Sequence, residues 1–328
     1  MPFSEIMDNL ANGNLTEILK AYTGVIKKIL FSELATNRTL LVQIVILALI
    51  GAIFSGFSGL FGSGHVGETG FYVVYLLIMT FLTTGFFASI CIAVEVTEQL
   101  MRFMQVLLPA YFLAVTAAGG ALTSAAICGF TIGAIGVVQS VLSEILIPLT
   151  RVFMLMVMAG NLLKEDMISK LTELLRHGIL WTMKTLFGGI VGFHVIQGMI
   201  LPQADAMKNA SVIRLTQIIP GIGGGVGAVS QLVMGSGVLI KNTAGAAAVV
   251  ILLILSSVPI LKLCFLTVLY YLAAAVMQPV CDKRLVSCME GAAAGHALLL
   301  KLVGYSLAMF ILTIAIICIS TNAVWYAR

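Results

Sequence analysis

Residues 246–277 read AAAVVILLILSSVPILKLCFLTVLYYLAAAVM, and this stretch decides the fold class. Its only charged residue is Lys262, and it is longer than the ~20 residues that an α-helix needs to cross a bilayer. Apolar runs recur along the chain, of which 60% is hydrophobic and 10% is charged. Soluble domains have about 25% charged residues. One soluble core cannot bury this excess of apolar side chains, so they must face lipid.

Within lipid every backbone N–H and C=O needs an internal partner, which leaves helices or closed barrels. Barrel strands would alternate in polarity over about ten residues, and the runs here do not alternate. We therefore predict an all-α, polytopic integral membrane helical bundle, with the transmembrane domain at 39–328. Residues 1–38 are predicted to be an amphipathic helical region, lying on the membrane or packing on the bundle. They lack a secretory leader pattern, so either the N-terminus is cytoplasmic or a leader is missing.

Proline and glycine positions divide the apolar runs. Pro109 is predicted to open a half-helix at 106–119, and Pro148 and Pro259 each to separate two spans. Residues 164–177 are predicted to form an interfacial helix. The predicted spans cover about 40–61, 71–94, 122–146, 148–163, 178–201, 239–258, 259–278 and 297–320.

The chain also contains two stretches that resemble each other. Residues 101–109 match 213–220 with one residue missing, and 147–151 match 258–262 at the same offset. We predict an internal duplication, with repeat 1 at about 95–201 and repeat 2 at about 202–320. Whether the repeats are parallel or inverted depends on whether their broken segments cross the membrane. Paired Pro/Gly-broken segments are typical of a midplane site in transporters.

Charges inside apolar spans are costly and usually functional. Glu144 and Arg151 lie about two helical turns apart and are predicted to face one cavity, unless the proline breaks reach the interface and both side chains snorkel. The glycine-rich segment after Pro220 is either a re-entrant turn or a close-packed helix. The candidate pore or transport path comprises Pro109, Glu144, Arg151, Pro220, Gly221, Gly223, Gly224, Gly225, Lys241, Asn242 and Lys262.

Motifs that would indicate an enzyme or a cofactor are missing from the sequence. The glycine cluster lacks the GxxxxGK[ST] pattern of a P-loop, and no Ser/His/Asp set or HExxH appears. The four histidines match no metal-ligand spacing, and His194 is expected to be a satisfied core residue. No CxxC pair and no basic stripe for nucleic acid are present. We predict no catalytic residues, no metal and no cofactor, with membrane lipids as the surroundings.

The block Ile219-Pro220-Gly221, followed by Leu239-Ile240-Lys241-Asn242, resembles the stage III sporulation protein AE family. The resemblance covers nearly the whole chain. Its other matching segments are 31–34, 71–75, 108–120, 196–198 and Pro259.

This resemblance implies a polytopic component of a secretion-like channel between mother cell and forespore, needed for forespore development. The implied partners are other stage III sporulation proteins, and the implied location is the mother-cell membrane around the forespore. The family supplies no catalytic residues and no settled substrate. Its members commonly begin with a cleavable leader, a pattern not found here, so the resemblance implies that residues 1–38 are exported, whereas the sequence itself predicts that they are cytoplasmic.

Three functions remain open at this stage. The first is a channel or transport component of the sporulation complex, with a homo-oligomer left open. The alternatives are a stand-alone secondary transporter of a small solute and a membrane scaffold that anchors partner proteins. A lumen in an oligomer favours the first, a sealed cavity in the protomer the second, and solid packing the third.

Overall fold

A computed structural model describes residues 65–117, 121–162, 168–217 and 223–326, together with scattered positions between 23 and 53. The main helices are α1 (His65–Ala117), α2 (Ala121–Ser140), α3 (Ile147–Leu162), α4 (Ser169–Gln217), α5 (Gly223–Met277) and α6 (Lys283–Tyr326). A π-helical turn, Val141–Leu146, joins α2 to α3. No strand occurs in these ranges, so the predicted all-α class is confirmed.

Five helical stretches of the described chain are long and apolar enough to cross a membrane. They confirm a multi-pass membrane protein. These candidate spans are Thr69–Thr116, Ile127–Asn161, Ser169–Gln197, Asn242–Met277 and Lys283–Ile319. Most of the predicted N-terminal region 1–38 and more than half of the predicted first span 40–61 lie outside the described residues.

The predicted helix breaks at Pro109 and Pro259 are wrong. Pro109 lies inside α1 and Pro259 inside α5, and both helices continue through the proline. A proline removes one backbone hydrogen bond, whereas ending one helix and starting another leaves four N–H and four C=O groups unpaired at each junction. In lipid each unpaired group is expensive, so the continuous helix costs less than the predicted break.

Pro148 also does not separate two spans, because the chain is helical from 121 to 162. The helix instead widens before the proline, where the Ile147 N–H bonds to the carbonyl of Leu142, five residues earlier. The Pro148 ring would clash with the Glu144 carbonyl of a regular α-helix, and the wider π-turn relieves this conflict. Glu144 therefore lies inside the π-turn itself.

The charged segment at 164–177 is not a separate interfacial helix. From Ser169 onward it forms the first turns of α4, which continues to Gln217 through the polar stretch that follows the apolar run. Lysine and glutamate are good helix formers, and Lys170 pairs with Glu173 one turn later at 3.8 Å. Polarity changes along α4 without ending it.

The turn between α5 and α6 has a clear local cause. Pro279 follows the end of α5, and the Asp282 carboxylate accepts a hydrogen bond from the backbone N–H of Arg284 at 2.9 Å. This is an N-cap, which satisfies one of the free donors at the start of α6. The Arg284 guanidinium also lies 4.0 Å from the centre of the Phe71 ring. Partial burial in this turn raises the pKa of the Cys281 thiol.

Contacts divide the chain into two compact units. Unit 1 comprises residues 1–91, 151–173 and 257–300, and unit 2 comprises 92–150, 174–256 and 301–328. The predicted duplication is a statement about sequence repeats, and it stays a prediction.

The core of unit 1 is a close contact between α3 and α6. A Cβ atom at Gly291 would overlap Val157, and one at Gly295 would lie 3.4 Å from Met154 Sδ and 2.9 Å from Phe86 Cε2. Gly291 and Gly295 thus form a small-xxx-small pair, which lets two helices approach closely in a membrane. One turn earlier on α6, Cys288 Sγ lies 3.1 Å from Met158 Sδ.

Unit 1 also buries a histidine among aromatic rings. The His296 ring stacks on Tyr270 at 4.5 Å and meets the edge of Phe86 at 5.4 Å. His296 Nδ1 lies 2.8 Å from the Ala292 carbonyl, within hydrogen-bond distance, and the residue is fully buried. The two ring contacts and the Nδ1 contact surround this polar side chain, while its Nε2 has no partner among the described residues.

Unit 2 is held by contacts among α1, α5 and α6. Tyr111 Oη donates a hydrogen bond to Cys318 Sγ at 3.2 Å, and Gly245 lies directly against the same sulfur. Gln105 of α1 donates to Gln139 of α2 at 3.4 Å. Glu144 and the start of α5 also belong to unit 2.

Candidate functional site

The predicted path residues Glu144 and Arg151 are exposed on the described surface. Glu144 projects from the π-turn in unit 2, and Arg151 belongs to α3 in unit 1. Neither forms an ion pair with another described residue. Both are charges within an apolar stretch, and their facing one cavity stays a prediction.

The other candidate residues are spread along the chain. Pro109 is exposed inside α1, and Lys262 of α5 is partly exposed and has an interaction partner. Asn242 is exposed and also has a partner, while only the helical backbone of Lys241 is described. Pro220 and Gly221 lie outside the described residues, and Gly223, Gly224 and Gly225 form the first turn of α5.

An apolar groove of about 310 Å³ lies beside the π-turn in unit 2. It is lined by Val141 of the turn and by α4 residues between Trp181 and Ile190. The Trp181 side chain is 69% exposed, and Gly189 leaves open space where a Cβ would stand. In a membrane this surface faces acyl chains or another apolar helix.

The structure places a set of neutral polar side chains inside unit 2 that the path prediction missed. His194 and Gln197 are buried on α4, with His194 Nδ1 3.3 Å from Gln197 Oε1. His194 was expected to be a satisfied core residue, and it is buried, but its Nε2 has no partner among the described residues. Gln197 Nε2, Thr131 Oγ1 and Ser306 Oγ are likewise without one.

Unit 1 also contains unpaired buried atoms, namely Thr83 Oγ1, Arg284 Nη1 and His296 Nε2, but other buried polar groups are paired within their own helices. The hydroxyls of Thr97, Thr150 and Thr267 each donate to a carbonyl four residues earlier in their own helix. An unpaired buried polar atom costs about 1–3 kcal/mol, so the set in unit 2 is expensive unless something binds it. In the sequence these residues stand out only as polar side chains inside apolar runs. Such a pattern does not show whether a side chain has a hydrogen-bond partner.

None of the Asp, Glu, Lys and Arg side chains whose burial the structure describes is buried. The described interior therefore offers neutral donors and acceptors, while the charges predicted for the path lie at the surface or have undescribed side chains. Within the same part, no group of histidine, cysteine and carboxylate side chains is arranged to hold a metal ion.

Comparisons with known proteins agree on one family. The family model described as stage III sporulation protein AE matches residues 1–321. Stage III sporulation protein AE of Bacillus subtilis (strain 168) is 23% identical over 297 residues, which is 89% of this chain and 74% of that protein. No solved structure matches the chain. Because the family model spans nearly the whole bundle, the chain belongs to the stage III sporulation protein AE family.

Proposed function

We propose that this protein is a membrane-embedded channel or transport component of the complex that links mother cell and forespore. The observation that carries the proposal is the family match over residues 1–321, which includes all five candidate spans. A sporulation membrane component with several spans and no catalytic motif is suited to moving material or anchoring a conduit. The proposed location is the mother-cell membrane around the forespore, with other stage III sporulation proteins as partners.

The exposed charges support an assembly over a stand-alone transporter. A charged side chain at the centre of a bilayer costs about 2.5–3.5 kcal/mol or more, so Glu144 and Arg151 need water, lipid headgroups or another protein surface. A stand-alone transporter would enclose its charged site within one protomer. Charges on the outside of helices are instead suited to a path or an interface that forms when chains assemble, as homo-oligomers or with partners.

Deletion of the gene in the organism that carries it tests the sporulation role. We expect the count of heat-resistant spores to fall and a late forespore reporter to stay silent, with both restored by the wild-type gene. Normal sporulation in the deletion strain would refute the proposed function. A fluorescent fusion that fails to enrich in the membrane around the forespore would refute the location.

Charge-neutralising variants test the path residues. We expect Glu144→Gln, Arg151→Gln, Lys241→Gln and Lys262→Gln, singly or combined, to lower spore counts while protein levels in the membrane stay normal. The matched control is Glu98→Gln with Arg102→Gln, an exposed ion pair of α1 at 3.4 Å. Full sporulation with all four path charges removed would refute the site assignment.

Affinity purification of the same variants separates a path from a scaffold. If the proposal is correct, the variants keep their sporulation partners but lose function. Loss of the partners together with function would favour the scaffold alternative. A monomeric wild-type protein with a sealed cavity would favour the secondary transporter.

A further inference from the structure

Four side chains inside unit 2 are at least nine-tenths buried and carry a polar atom without a partner. Their exposed fractions are 2% for His194, 8% for Gln197 and 0% for Thr131 and Ser306. The atoms are His194 Nε2, Gln197 Nε2, Thr131 Oγ1 and Ser306 Oγ. Native proteins pair nearly all such buried groups, so each of these atoms calls for a ligand or ordered water.

Ring contacts show where the helices that carry these side chains meet. The rings of Phe130 and Phe193 are 6.0 Å apart, and both side chains are exposed. The next residues along each helix, Thr131 and His194, are buried, so both turn inward at the level of that contact. Gln197 follows one turn later on the same face of α4.

Ser306 is buried on α6, which meets α4 at Phe187. Ser306 follows Tyr305, whose ring is 5.7 Å from Phe187. Phe187 precedes His194 by about two helical turns, or ~10 Å along the axis. The hydroxyl of Ser306 is thus buried in the same unit, on a helix that meets α4 about two turns before His194.

The hydrogen-bonding pattern limits what this interior can bind. The Gln197 amide oxygen accepts, so His194 Nδ1 carries the hydrogen, and the Nε2 of the neutral ring is an acceptor. Gln197 Nε2 is a donor, and the hydroxyls of Thr131 and Ser306 both donate and accept. None of the charged side chains whose burial the structure describes is buried, so none of these balances an ion. The complementary partner is uncharged and both donates and accepts hydrogen bonds.

We propose that unit 2 contains a hydrated internal site, centred on the His194–Gln197 pair, for small uncharged solutes that carry hydroxyl or amide groups. Thr131 and Ser306 extend this site along the helix axis. It would offer uncharged hydrogen-bonding groups to a solute inside an otherwise apolar bundle. The proposal concerns a binding site within the chain and goes beyond the role in sporulation.

Modification of the wild-type protein by diethyl pyrocarbonate is the first test. This small uncharged reagent attacks the free nitrogen of neutral imidazole, and peptide mass spectrometry reads each histidine separately. His296 is the matched control, because it is equally buried with a free Nε2 but is enclosed by Phe86 and Tyr270. His177, which is exposed, gives the upper limit.

We expect His194 to react about tenfold or more faster than His296, because a dry, packed ring reacts only through local opening. Equal, slow reaction of His194 and His296 would overturn the proposal. This outcome is independent of the genetic tests, since a dry unit 2 with a sporulation defect on deletion would leave the proposed function standing.

Alkylation of a Gln197→Cys variant tests the preference for uncharged solutes. Iodoacetamide and iodoacetate are similar in size, but the first is an uncharged amide and the second an anion. We expect iodoacetamide to label position 197 about tenfold faster than iodoacetate, after correction for their rates with free cysteine, because an unpaired anion is costly to bury. The control is Ile196→Cys on the adjacent, 60% exposed face, where both reagents should react slowly in lipid.

Labelling of Gln197→Cys no faster than Ile196→Cys would show a dry interior and overturn the proposal. Equal rates for the two reagents would show that the site does not select uncharged solutes, which overturns the assigned ligand class. If the variant fails to fold, the measurement on wild-type His194 still decides whether the interior is hydrated.

Discussion

Replacing Gly291 with alanine tests the closest helix contact in unit 1. The added methyl would overlap Val157 Cγ1 on the facing helix α3. A β-branched valine in a helix has one strongly preferred χ1, so Val157 cannot rotate away and the two helices must separate. Overpacking of this kind costs about 1–3 kcal/mol, and we take about 3 because the neighbour is stiff.

Alanine also improves helix propensity over glycine by about 1 kcal/mol. The net expectation for Gly291→Ala is therefore a loss of about 2 kcal/mol in the free energy of unfolding. Equilibrium unfolding by SDS in mixed micelles, followed by circular dichroism, measures this change. Gly304→Ala in the same helix is the control, because no atom lies within 4 Å of a Cβ placed there, and it should be neutral or slightly stabilising.

A second substitution identifies the contact responsible. Val157→Ala alone should cost about 2 kcal/mol by removing two buried methyl groups. Combined with Gly291→Ala, it removes the overlap of about 3 kcal/mol, so the double variant should be about 3 kcal/mol more stable than the sum of the single effects. Stability of Gly291→Ala equal to that of Gly304→Ala, or strict additivity with Val157→Ala, would refute the reasoning.

Three further predictions concern unit 1. Gly85→Ala should destabilise the fold by about 1–2 kcal/mol, since a Cβ there would lie 2.7 Å from Tyr270 Oη. Adding Tyr270→Phe to this variant should restore stability. An unchanged unfolding midpoint for Gly85→Ala would contradict this expectation. Asp282→Ala should lose about 1 kcal/mol in the same assay by removing the N-cap of α6, whereas Asp282→Asn should keep most of it, and equal losses would count against a capping role. Burial raises the pKa of Cys281, so less thiolate is present near neutral pH and alkylation should be slow there. The alkylation rate should keep increasing as the pH is raised beyond about 8.5, the ordinary thiol pKa. A rate that levels off below that pH would be inconsistent with this environment.

Sequence reasoning failed at prolines for a reason specific to membranes. In a soluble protein, Pro109, Pro148 and Pro259 would be reasonable helix ends, because water satisfies the free backbone groups. In α1 and α5 the helix runs on, and at Pro148 it widens into the π-turn. Whether one lost hydrogen bond costs less than two new helix ends depends on whether lipid or water surrounds the backbone. The presence of a proline in the sequence does not show which of these surrounds it.

The candidate site shows a similar division between sequence and structure. Glu144 and Arg151 stand out in the sequence because charges are rare in apolar runs, and the structure places both on the described surface. His194 and Gln197 look ordinary in sequence. Their importance comes from the pairing of two side chains one turn apart and from the absence of further partners for them within the described chain.

By itself, the sequence determined that this chain is a multi-pass helical membrane protein, because apolar composition and the need to satisfy the backbone in lipid leave few other folds. Its motif blocks also pointed to the family that the full-length comparison then showed. The tertiary structure decided which residues are buried and which polar atoms are left unpaired. Those properties depend on which helix faces lie against each other, as Gly291 against Val157 and Phe130 against Phe193 show, and such contacts join residues far apart in the chain.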